Sequence, residues 1–140
     1  MAAVAALTFA APVFAQANTS PLKAGNYWVV SGVKVMPGQG LRFANELVNV
    51  WMKNQEYAKS KGWISGYHVL SNTHPRQGEP NIYLISEFAQ MADQAEADRR
   101  GVEMRTMNKQ TMEQAQAAAA GRAEYTESVS TLLLREQVRR

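Results

Sequence analysis

The stretch WISGYHVLSNTHPRQGEP, Trp63 to Pro80, holds both histidines of the chain and places Arg76 two residues after the second. His68 sits between Tyr67 and Val69 in an alternating run, and imidazole is the side chain best suited to take and return a proton near neutral pH. His68 is therefore the expected catalytic residue, a general base, with the small Gly66 on its side of the run leaving room for a ligand. His74 and Arg76 flank Pro75 in the turn-rich part, where an imidazole and a guanidinium can meet an anion or carboxylate. Trp51, Tyr67 and Tyr83 are the expected aromatic lining of an apolar pocket, their phenols orienting a planar ligand, and Asn45 projects a polar group from the main helix beside it. The competing reading is structural: a histidine satisfied by one hydrogen bond, a solvated loop, and aromatic residues that form core or subunit contact.

Several chemistries are excluded. The chain has no cysteine, which removes disulfides, thiolate nucleophiles and iron-sulfur clusters. Two histidines without a recognised carboxylate spacing do not predict a metal site, and no cofactor is expected. No Gly-x-Ser-x-Gly motif or readable Ser-His-acid arrangement is present. The net charge of +3, from 15 basic and 12 acidic residues, contains no basic block, and no glycine-rich phosphate loop occurs, so nucleic acid is not an expected partner.

The elements that position these residues follow from periodicity. YWVVSGVKV, Tyr27 to Val35, alternates as a strand with apolar residues on both sides, and the turn MPGQG ends it. From Leu41 to Gly62, Leu41, Ala44, Leu47, Val48, Trp51 and Ala58 recur at helical spacing. Trp63 to Ser71 and Ile82 to Phe88 read as two strands of a hairpin joined by a projecting loop. Ala89 to Gly121 has helical composition, with helices expected near Ala92 to Arg100 and Thr111 to Ala120 and a break at Gly101. A last strand, Tyr125 to Glu136, is apolar on successive residues in its final third, which predicts a central or doubly covered position.

This order predicts an α+β, ferredoxin-like β-α-β-β-α-β sandwich with a four-stranded antiparallel sheet. Helices on one face leave the other bare, yet both sets of alternating positions carry large apolar residues, so a homodimer is expected. At the N-terminus, a small-residue apolar run from Ala2 to Ala11 and the Ala15-Gln16-Ala17 site predict a signal peptide over residues 1–17. A linker over 18–26, the domain over 27–136 and a tail over 137–140 complete the division, with a periplasmic or secreted location and no stable membrane span after cleavage.

The succession YWVVSGVKVMPGQGLRFANELVNVW, GWISGYHVLSN, NIYLISEF and YTESVSTLLLRE resembles the dimeric α/β-barrel superfamily, the antibiotic-biosynthesis-monooxygenase type among them, over Tyr27 to Glu136. The resemblance implies sheets paired into a barrel-like dimer, with a pocket between sheet and helices. The haem-degrading branch carries a helix-borne histidine ligand, and no expected helix here contains one. The resulting expectation is an exported dimeric α/β-barrel protein that binds a small apolar or aromatic molecule. Its alternative is a cofactor-independent monooxygenase or isomerase with His68 as base.

Overall fold

The computed structural model describes residues 20–140; the expected signal peptide lies outside the described residues. Four strands, β1 (Leu22–Val35), β2 (Gly66–Ser71), β3 (Ile82–Phe88) and β4 (Thr126–Arg139), form one antiparallel sheet in the order β2-β3-β1-β4. β1 and β4 are each 14 residues long and run past their expected ends. Leu22–Ala24 pair with Gln137–Arg139, whereas β3 meets β1 only from Tyr27 to Val33, so the far end of β1–β4 is a two-stranded ribbon.

Where Gly32 gives way to Val33 the β1–β4 register shifts, and Gly32 is buried there. A β-carbon on Gly32 would stand 2.5 Å from Ser130 Oγ and 2.8 Å from Pro80 Cγ. Only glycine allows Pro80 and β4 to approach the strand so closely.

The first helical connection is one rod: α1 (Gly40–Glu46), a π-helical segment (Leu47–Met52) and α2 (Lys53–Ser60). Gly62, at φ +68°, turns the chain after it, a conformation that disfavours a β-carbon. The second connection is α3 (Gln94–Met107) and α4 (Met112–Ala123). α3 starts where Asp93 accepts the Glu96 N–H at 2.8 Å and continues through Gly101, so the expected break there does not occur. Ion pairs of Arg99 with Glu96 and Glu103, and of Arg100 with Glu96, span that part of the helix and offset the glycine penalty of about 1 kcal/mol. The break falls instead at Lys109, with φ 53°, followed by a capping box in which Thr111 and Gln114 exchange hydrogen bonds.

All of these helices lie on one side of the sheet. Val33 and Leu84 share a cavity with Phe43, Leu47, Val50 and Trp51 of the first rod. Asn54 accepts from Asn108 at 2.9 Å, and Arg122 donates to Glu46 at 3.1 Å, which ties the two helical connections together. The opposite side carries Trp28 and Val30 of β1, His68 and Leu70 of β2, Tyr83, Ile85 and Glu87 of β3, and Leu132 and Leu134 of β4.

Two expectations are corrected. The sheet is open, with β2 and β4 at its two edges, so the α/β-barrel pairing and the resemblance to the dimeric α/β-barrel superfamily do not hold; the ferredoxin-like element order does. Closure needs tilted strands of matched stagger, and β2 with 6 residues is less than half as long as β4 with 14. β4 is also an edge strand, neither central nor doubly covered, and Leu132, Leu133 and Leu134 are 48%, 59% and 48% exposed.

Candidate functional site

The sheet face turned away from the described helices brings His68, Glu87 and Trp28 together. Glu87 lies opposite Trp28 on one side and Gly66 on the other, while His68 lies opposite Ile85. Gly66 has no side chain opposite Glu87, whose carboxylate lies 3.5 Å from where its β-carbon would stand, and His68 reaches the same carboxylate from two residues further along β2. His68 Nε2 and Glu87 Oε1 are 2.7 Å apart. A carboxylate only accepts hydrogen bonds, so Nε2 carries the hydrogen and Nδ1 of the neutral ring is left as the acceptor. The imidazole stacks on the Trp28 indole at 5.8 Å between centroids and 16° between planes. Glu87 is mostly covered, at 17% side-chain exposure, whereas half of the His68 side chain reaches solvent.

Trp28 Nε1 is buried and has no hydrogen-bond partner among the described residues. A buried donor left unpaired costs about 1–3 kcal/mol, so this edge of the indole is an unmet demand for an acceptor. The sequence pointed to His68 but not to Glu87, and gave Trp28 only as one of several aromatic residues, without its place beside His68. The signal was present in the alternation, since His68 shares a side with Gly66, and Glu87 shares one with Ile85 and Tyr83.

The sheet separates the other expected site residues. Tyr83 lies on the His68 side, opposite Leu70. Tyr67 and Trp51 meet edge to face on the helix side at 5.5 Å, where the Tyr67 hydroxyl donates to Glu56 at 2.5 Å and that bond holds the phenol pKa above its ordinary value. Trp51 faces a cavity of about 230 Å³ between rod and sheet, and Asn45 lines a cleft outside it with Arg42 and Arg122. His74 and Arg76 are exposed in the loop, where Arg76 donates its backbone N–H to Glu79 at 2.9 Å and His74 Nδ1 lies 3.1 Å from Thr73 Oγ1. Neither loop residue is joined to His68 by a hydrogen bond among the described residues.

Among the described residues, no group of three or more His, Asp or Glu side chains is arranged to hold a metal ion. No helix among them is long and apolar enough to cross a membrane. Fold and site together define an open-sheet, ferredoxin-like α+β protein with a carboxylate–histidine pair on its helix-free face. No protein-family model matches the chain, and neither a curated protein nor a solved structure matches it. The expectation of an exported dimeric α/β-barrel protein, and the monooxygenase or isomerase alternative, do not hold: the open sheet forms no barrel, and it separates Tyr67 and Trp51 from Tyr83 and His68, which were expected to line one pocket.

Proposed function

We propose that the chain is a self-associating protein whose helix-free sheet face is covered by the same face of a second copy, two open sheets stacked as layers. One observation carries this reading: Trp28, Val30, Tyr83, Leu132 and Leu134 share a face that no helix among the described residues covers. On that face Leu70, Leu132 and Leu134 are 51%, 48% and 48% exposed, which leaves apolar side chains in contact with water in the single copy.

The dimensions suit a dimer. Four strands about 4.8 Å apart, with about 3.3 Å of rise per residue, give a flat footprint near 650 Å² once the longer β1–β4 ribbon is included. Side-chain relief raises the accessible area toward the roughly 800 Å² per partner of a standard interface. An isologous contact also meets the requirement that one surface serve both partners. Sedimentation of the wild type and of a Leu132→Ala/Leu134→Ala variant tests the proposal; a single-copy wild type overturns it.

A second reading is favoured by the short His68–Glu87 contact. His68 acts as a proton acceptor at Nδ1, with Glu87 fixing the tautomer and the covering sheet excluding water. Imidazole ¹⁵N spectra should show an unprotonated Nδ1 in the wild type and a mixed tautomer in Glu87→Gln. The same mixture in both proteins removes the oriented base. The Ala15-Gln16-Ala17 site further supports a periplasmic or secreted working form, which N-terminal sequencing of the cell-fractionated protein tests; an intact Met1 on that protein refutes it.

A further inference from the structure

We propose that the cavity beneath the π-helical segment is a binding site for a short aliphatic carboxylate, with Arg122 holding the carboxylate. Leu47, Val50 and Trp51, all within Leu47–Met52, line this space of about 230 Å³ together with Phe43, Val33 and Leu84. A π-helical turn is wider than an α-helical one and is frequently found at functional sites, which directs attention to the space beneath it.

The charged side chains lining the cavity are the ion-paired Glu46 and Arg122, with Asn54 and Thr126 as further polar lining. Both residues also line the two neighbouring clefts, where the further charged side chains are Arg42 and Arg105. Across these spaces three guanidinium groups stand against two carboxylates, Glu46 and the Glu124 that engages Arg42, and the one unmatched positive charge favours an anionic head group. Arg42 is engaged by Glu124 at 3.2 Å and stands over the Tyr125 ring. Arg122 uses Nη1 for Glu46, and its planar fork retains donors for a second carboxylate.

Size limits the tail. A cavity of about 150 Å³ accommodates benzene, so 230 Å³ corresponds by proportion to about nine non-hydrogen atoms. A straight chain of about eight carbons ending in a carboxylate is close to that limit, its tail against the apolar lining and its head at Arg122. This site is on the helix side of the sheet and does not depend on self-association.

Octanoate, octan-1-ol and octylammonium are the probes, titrated into the full chain by calorimetry and by NMR of the Trp51 indole N–H. Octanoate should bind at least tenfold more tightly than either analogue and shift the Trp51 resonance. Arg122→Gln should weaken octanoate about tenfold and leave octan-1-ol within about twofold. Val50→Phe, which fills the cavity, should abolish the binding; if that variant does not fold, the Trp51 shift in the wild type locates the probe independently. No octanoate binding, equal affinity for the alcohol, indifference to Arg122→Gln, or an unmoved Trp51 resonance each overturns the assignment.

Discussion

Truncating Leu132 and Leu134 together measures how much of the association comes from the helix-free face. Each is 48% exposed, so about half of the side chain remains to be buried by a partner. Burying a whole leucine side chain contributes about 1.5–3 kcal/mol, and the remaining half therefore contributes about 1 kcal/mol. Two-fold symmetry presents each leucine twice, which makes four such burials per dimer, or about 4 kcal/mol. Alanine keeps its β-carbon in the contact, trimming the loss to about 3 kcal/mol, a weakening of roughly a hundredfold in the dissociation constant. Leu133→Ala is the control, because Leu133 is 59% exposed but pairs with Val29 on the helix side. Its effect should stay within about twofold, as for an ordinary surface substitution. Sedimentation equilibrium gives all three constants, and circular dichroism checks that each chain is folded. A wild type still single at about 100 µM, above the micromolar limit common for interfaces of this size, refutes the reasoning. Equal losses in Leu133→Ala and in the double variant refute the assignment of faces.

Two further outcomes test the fold around the site. Hydrogen bonds from Arg99 and then Arg100 hold the Glu96 carboxyl at about 2, below its ordinary 4.5. A depressed carboxyl contributes fully above its unfolded value, loses that contribution as pH falls from about 4.5, and contributes nothing below about 2, so the melting temperature of Glu96→Gln should change less than that of the wild type between pH 5 and pH 2; parallel curves would show that these arginines add no pH-dependent stability. Gly32→Ala forces a β-carbon against Ser130 and Pro80 and should cost about 1–3 kcal/mol in urea unfolding, whereas an unchanged midpoint would mean that the β1–β4 register slips to accommodate it.

Much of the architecture was legible because strand alternation and helical spacing are local properties. The order of elements and the rod from Leu41 onward followed from them. Leu22 to Asn26 did not read as strand, since LKAGN contains no β-branched residue; pairing with Gln137–Arg139 makes its first part strand. Gly101 read as a break because propensity ignores the ion pairs that span it. The Leu132-Leu133-Leu134 triplet read as a covered strand, because successive apolar residues do not distinguish a central strand from an edge whose two faces both carry leucine. The site was half legible. Alternation placed His68 beside Gly66, but only the register Gly66↔Glu87 brings the carboxylate to the imidazole, and register is non-local. Glu46 and Arg122 are 76 residues apart and carried no joint signal in the sequence.

The leucine triplet also decides between two modes of self-association. Joining β4 edge to edge would extend the sheet to eight strands, and would satisfy the free backbone groups that any edge strand presents. It would leave Trp28, Val30 and Tyr83 uncovered and double the apolar area in contact with water. Stacking removes that area, and the charges of Glu127, Arg135, Glu136 and Arg139 along β4 act against edge pairing in the way that charged edges commonly do. The two modes differ in the backbone. Edge pairing would protect the outward amides of β4 from hydrogen exchange on association, whereas stacking protects side chains and leaves those amides exchanging at nearly the rate of the single copy. Strong protection confined to β4 would therefore move the interface from the face to the edge, and Leu133 would then count as much as its neighbours.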